Sequence, residues 1–267
     1  MLVLIAALCL PPTADTAVPV HSHNDYWRSR PLLEAIEAGC LSIEADVLAK
    51  DGKLMVGHGP RELTAERTLS LMYLKPLAEI VRSRDRVYPK DDRALILLVD
   101  LKTDWVSTKP TLSQILNEYA DVLKAPGGTH KGPGGIVVAV SGSGSDRADA
   151  PCGVDGRPSR LGGTQSIFEK PLTSQSFRST FRWSGLGTLD NDQQKRLKRL
   201  SQRVNAEGRL LRLWAAPDTP EAWETLLKCG AGVINTDQPT KAAEFIRAMT
   251  QSGNKESPSK SKQFKEK

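Results

Sequence analysis

Short runs of Val, Ile and Leu alternate along almost the whole chain with stretches whose apolar residues recur at helical spacing. The clearest strand-like runs are AVPVHSH (17–23), LSIEADVLA (41–49), ALILLVDLK (94–102), GGIVVAVSG (134–142), RLLRLWAA (209–216) and AGVINTD (231–237). Weaker strand candidates are GTQSIFE (163–169) and STFRWSG (179–185), and GKLMVGH (52–58) reads as a short extension after the Asp51-Gly52 turn. Helices are expected over 31–39, opened by Pro31 and closed by Gly39, and over 74–84, 111–123, 190–208, 219–230 and 239–251. Strands that are apolar on nearly every residue need cover on both faces, which implies a parallel sheet flanked by helices. A count of about eight strands favours an α/β fold of the (β/α)8 TIM-barrel type over an open doubly wound sheet. The glycine-, serine- and aspartate-rich passage 141–163 is expected to be loop. In the second strand, Ile43 and Val47 are candidates for the inward face.

The 267 residues suit one barrel domain, and 39% hydrophobic content is enough for a core without disulfides. Three segments are expected: 1–17 as a signal or leader segment, 18–251 as the barrel, and 252–267 as a disordered basic tail. The first segment is apolar but too short to span a bilayer, and it implies a secreted or periplasmic protein. Loss of the leader would remove Cys9 and leave Cys40 and Cys229, expected in the core, and Cys152, expected exposed. The net charge of +6 permits anionic partners, including peripheral contact with an anionic membrane. With 5% aromatics and no interleaving of basic and aromatic residues, nucleic acid is not an expected partner. A monomer is expected.

Catalytic groups in parallel barrels come from the C-terminal ends of the strands. Here the first strand ends in His21-Ser22-His23-Asn24-Asp25, and the last in Asn235-Thr236-Asp237. Glu44 and Asp46 stand two residues apart in the second strand, so they share a face. Asp100 and Lys102 repeat that spacing in the third, and His58 follows the short extension. Like charges buried together are costly unless a cation resolves them, so Glu44, Asp46 and Asp100 point to a hard divalent ion. His21 and His58, at strand ends beside those acids, suit proton transfer near neutral pH. His23, Asp25 and Asp237 are weaker candidates, and His130 is expected to be a loop residue without a role.

The stretch SIEADVLAKDGKLMVGH (42–58) resembles the E-x-D…D-G…V…H signature of the glycerophosphodiester phosphodiesterase superfamily of phosphatidylinositol-phospholipase-C-like barrels, which includes the sphingomyelinase D enzymes. HSHNDY, RPLLEAIEAGCLSIEADV, LWAAPD and INTDQP resemble more closely the altered inheritance of mitochondria protein 6 family and its bacterial secreted relatives. The likeness spans residues 18–247 and is thinnest over 141–179. It implies a metal-dependent phosphoric diester hydrolase or lyase acting on a glycerophosphodiester or phospholipid-type substrate. His21 and His58 then match the catalytic histidines, and Glu44, Asp46 and Asp100 the ligands of Mg2+ or Ca2+. Asn24 and Lys102 fall at phosphate-contacting positions, and Trp214 matches an aromatic at the mouth. Two departures concern the substrate: H-S-H replaces H-R-G, and Gly59 follows the second histidine where Asp is usual.

Two other readings compete. His21-x-His23 at the end of a first barrel strand is also how zinc-dependent amidohydrolases begin, although carboxylates suit zinc poorly. A barrel that only binds headgroups, without catalysis, is the other.

Overall fold

The structure, a computed structural model, describes residues 10–163 and 166–255. The elements in chain order are β1 (Val18–Ser22), α1 (Leu33–Ala38), β2 (Cys40–Lys50), β3 (Lys53–Val56), α2 (Lys75–Arg84), β4 (Leu95–Leu101), α3 (Trp105–Glu118), β5 (Ile136–Gly142), β6 (Gly153–Val154), β7 (Leu172–Ser176), α4 (Phe177–Thr180), α5 (Asn191–Asn205), β8 (Leu210–Trp214), α6 (Pro220–Lys228), β9 (Ile234–Thr236) and α7 (Pro239–Lys255). Parallel pairing runs β6-β5-β4-β2-β1-β9, with β7 and β8 pairing separately. Single parallel bridges, Gly156 to Thr173 and Arg212 to Val233, join the two sheets. Eight parallel strands therefore form a ring, and β3 folds back antiparallel on β2 beside it. The expected α/β barrel is the observed one.

Local chemistry explains the helix starts. Asp104, Asp190 and Thr219 cap α3, α5 and α6 by accepting backbone N–H groups of the first turn. The cap on Asp104 starts α3 six residues before the expected position, and Pro110 lies inside it. Strand residues Ile43, Ala45, Val47, Leu97 and Val99 are completely buried. Because Glu44 and Asp46 line the barrel mouth, alternation turns Ile43 and Val47 to the opposite face, under the helices, correcting their expected inward placement.

The middle of the chain departs most from expectation. Strand β6 lies inside the passage expected to be loop, too short for its two residues to show a period. Cys152 leads directly into it and is buried, not exposed. Neither weak candidate is a strand: 166–169 is turn, 179–185 is the end of α4 and a loop, and the true strand β7 lies between them. Residues 164–165 of the first candidate are outside the described residues.

At the ends, residues 1–9 and 256–267 of the expected leader and tail are outside the described residues. Helix α7 continues to Lys255, past the expected boundary at 251. Residues from the second half of the expected leader pack on the barrel: Ala14 N–H donates to the Ile36 carbonyl and Ala17 N–H to Asp91.

Candidate active site

The register of the sheet sets the site. Asp46 lies directly beside Asp100 on the neighbouring strand, and Asp100 beside Ser141 on the next. His21 lies beside Ser42 in the same way. Glu44, Asp46 and Asp100 each offer a carboxylate oxygen, all within 4.8 Å of one another, the only such His, Cys, Asp or Glu group among the described residues. They line a cleft of about 480 Å3 with His23, Asn24, Trp27, His58, Lys102, Asp155, Arg157, Arg212 and Trp214. Gly142 closes β5 at φ 59°, and a side chain there would run into the Leu101 carbonyl and the Asp100 carboxylate.

Asp46 is the hub. Its Oδ2 accepts from the Tyr26 hydroxyl at 2.8 Å and from His58 Nδ1 at 2.8 Å, and Lys102 Nζ lies 3.0 Å away. Its Oδ1 is buried with no hydrogen-bond partner, an arrangement that ordinarily costs about 1–3 kcal/mol. Burial and the Asp46 charge push the Tyr26 phenol up, so it remains a donor. Lys102 bridges Asp46 and Asp100; burial opposes its charge, but the two carboxylates outweigh this and raise its pKa. Ser141 donates to the other Asp100 oxygen at 2.6 Å.

Glu44 is held from below. Arg212 donates to its Oε2 at 2.6 Å and to Asn235 at 2.8 Å, while His21 Nε2 lies 2.9 Å from the same oxygen. Burial acts to raise the Glu44 pKa, but Arg212 and His21 outweigh it and hold the carboxyl well below its usual range. Burial, aided by Arg212, pushes the His21 pKa down to about 4, so the ring is neutral at pH 7. A carboxylate can only accept, so Nε2 carries the His21 proton and Nδ1 accepts from Ser42 at 2.8 Å. His58 has the opposite tautomer: Nδ1–H donates to Asp46, and Nε2 makes no hydrogen bond among the described residues.

The two expected catalytic histidines thus sit at the same end of the barrel, on neighbouring carboxylates, but in unlike settings. His58 is open, its side chain 60% exposed, whereas His21 is fully buried and does not line the cleft. Asn24 lines the cleft at φ 47°, a left-handed conformation that Asn tolerates, and Lys102 and Trp214 line it too. His23 reaches the rim and takes Asp237 at 2.8 Å. Asp25 turns away from the cleft: its carboxylate accepts from Ser22, the Leu32 N–H and Tyr73 in the interior of the first loop.

Arg212, Asp155 and Arg157 were missed. An arginine amid the leucines of RLLRLW is the signal for Arg212, since a buried strand cation demands an acid. Asp155 follows β6 and obeys the same strand-end rule as Asp100, but its strand was hidden in the glycine-rich passage. It is buried, which raises its pKa against the pull of Arg212 and Arg157, and Arg157 donates to it at 2.9 Å.

Fold and mouth together define a (β/α)8 barrel with a carboxylate-lined cleft at the C-terminal end of its strands. Residues 13–147, about half of the chain, match the AIM6-like phosphodiesterase domain, and the chain belongs to that family. An altered inheritance of mitochondria protein 6 homolog from Arthroderma benhamiae is 28% identical over 264 residues, covering 86% of this chain and 84% of that protein. Altered inheritance of mitochondria protein 6 from Saccharomyces cerevisiae is 38% identical over 115 residues, 38% of this chain and 29% of that protein. The crystal structure of a glycerophosphodiester phosphodiesterase from Parabacteroides distasonis has the same fold, with a TM-score of 0.53 at 15% identity over 90% of this chain and 100% of that one.

Proposed function

We propose that this protein is a metal-dependent phosphoric diester hydrolase or lyase, with a glycerophosphodiester or phospholipid-type substrate. The observation that carries this reading is Asp46: one oxygen is saturated by His58, Tyr26 and Lys102, the other is buried and unpaired, and the residue is grouped with Glu44 and Asp100. Three carboxylates against the two cations Lys102 and Arg212 leave a negative excess that suits a dication. An all-oxygen donor set favours Mg2+ or Ca2+ over zinc, which sets the amidohydrolase reading aside. When bound, such an ion supplies positive charge to the non-bridging oxygens of the phosphodiester.

The remaining chemistry belongs to the side chains. Lys102 lies beside the same carboxylates and adds a second positive charge for the phosphate. His58, its Nδ1–H fixed by Asp46, presents a basic Nε2 that takes a proton from water or from a neighbouring substrate hydroxyl. His21, buried and outside the cleft lining, holds Glu44 in place through its Nε2 proton; as the nucleophile bonds to phosphorus the bond to the leaving alkoxide breaks, and that alkoxide takes up the proton that His58 has gained. Trp214 and Trp27, both exposed and both lining the cleft, flank the space for the alcohol portions of the substrate.

The test is product release from a panel of glycerophosphodiesters, lysophospholipids and sphingomyelin, with and without a chelator. Turnover that needs Mg2+ or Ca2+ and vanishes in His58→Ala supports the reading. Headgroup binding without turnover on any substrate would replace it with the non-catalytic one.

A further inference from the structure

Among the described residues six large apolar side chains are exposed, and they are not scattered: Trp27, Leu71, Val106, Leu186 and Trp214 stand on segments that follow the C-terminal ends of strands. Trp27 follows β1, and Leu71 lies in the helical turn that leads into α2, held at the mouth end because Thr68 bridges Met55, which pairs antiparallel with Leu48 beyond Asp46 in β2. Val106 opens α3 after β4, Leu186 follows β7 and α4, and Trp214 ends β8. Only Ile167 lies at the other end, where it packs near Gly208 ahead of β8. Val106 and Leu186 are 82% and 83% exposed, and neither lines the cleft. Such exposure has a hydration cost that nothing among the described residues offsets.

The arrangement selects the partner. In ring order these residues belong to β1, the β2–β3 hairpin, β4, β7 and β8, so they surround the mouth instead of gathering on one side. A protein partner meets a contiguous patch, whereas a flat apolar layer is met by points spread round a rim. The same rim carries Arg61, Arg147, Arg178 and Arg182, all exposed and without a carboxylate partner among the described residues. Arg147 instead lies over the Trp105 ring, one residue from Val106. Apolar tips interleaved with unpaired arginines match the acyl boundary and the phosphate layer of an anionic membrane surface.

We infer that the mouth end of the barrel docks on anionic lipid bilayers, with Val106, Leu186, Trp27, Leu71 and Trp214 entering the interface and the rim arginines meeting lipid phosphates. Docking in this way faces the cleft toward the membrane. The inference stands on exposure and position and needs no turnover, so it can fail or hold separately from the catalytic reading.

The experiment is co-sedimentation of the full chain with vesicles of phosphatidylcholine alone and of phosphatidylcholine mixed with phosphatidylserine. Binding to the mixed vesicles is expected to exceed binding to the neutral ones and to weaken with salt. Leu186→Ser and Val106→Ser are each expected to lower partition by about tenfold. Hydrolysis of a water-soluble phosphodiester by both variants should remain at the starting level, since neither residue lines the cleft. No binding to either vesicle overturns the inference, as does binding indifferent to both substitutions, which would place the contact elsewhere on the chain. Self-association abolished by the same two substitutions, with no vesicle binding, would assign the rim to a second copy of the chain and equally overturn it.

Discussion

The two ends of the barrel hold cavities of similar size and opposite character. The mouth, about 480 Å3, is lined by four carboxylates, three cations and His58 beside Trp27 and Trp214. At the N-terminal ends of the strands a cavity of about 510 Å3 is lined chiefly by Leu41, Ile96, Val137, Phe168 and Leu210. Volume therefore does not mark the functional end; convergent polar groups on strand ends do. In physical terms, the mouth carries converging charge at a cost in stability, and the opposite end is mainly apolar, with Asp91, Asp92, Arg93 and Lys124 also among its lining.

Substitutions should sort along that division. The largest effect is expected for His58→Ala, a fall in turnover of about 10²–10⁴-fold, with a melting temperature close to that of the parent because the side chain is largely exposed. Steady-state kinetics together with a thermal melt separates the two quantities; retained turnover would remove the acid–base role. Next comes Arg212→Met. It leaves Glu44 buried without its cation, and a loss of about 3–5 kcal/mol in denaturant unfolding is expected, together with lost activity.

The buried histidine adds a pH dependence. Its pKa of about 4 lies below the ordinary 6.5, so folding favours the neutral ring. The resulting stability is complete above pH 6.5 and is lost as pH falls from 6.5 through about 4, a change of about 3 kcal/mol. Melting curves across that range should show the loss in the parent and a flatter profile in His21→Gln.

At the opposite end, Ile96→Ala should cost about 2–3 kcal/mol of stability while turnover per folded molecule is unchanged. A large loss of activity there would break the distinction between the ends. Trp214→Ala should be mildest, raising KM about three- to tenfold with little effect on kcat, since its contact is with substrate and not with the reacting atoms.

What was legible in the sequence follows the same physics. Glu44, Asp46 and Asp100 stood out because ionised groups in apolar strands contradict their surroundings, and their spacing gave them one face. Strands β4 and β5 were legible from their nearly continuous apolar runs, and β1, β2, β8 and β9 from shorter apolar runs interrupted by the polar residues of the site. Strands β6 and β7 were not. The first has two residues, and the second, LTSQS, has polar residues on both faces and so shows neither an apolar run nor an alternating pattern. Asp155 was lost with β6. The tautomers of His21 and His58 depend on Ser42, Glu44 and Asp46 as neighbours in the register, which only strand pairing brings into contact. Burial of His21 was equally invisible, since a strand-end position permits either an open or a sealed ring.

Calorimetric titration of the purified protein with Mg2+ and with Ca2+, alongside Asp46→Asn and Glu44→Gln, tests the central point most directly. One saturable site per chain for at least one of the two ions, weakened at least about tenfold in both variants, is the predicted result. Absence of saturable binding, or affinity untouched by either substitution, would contradict it.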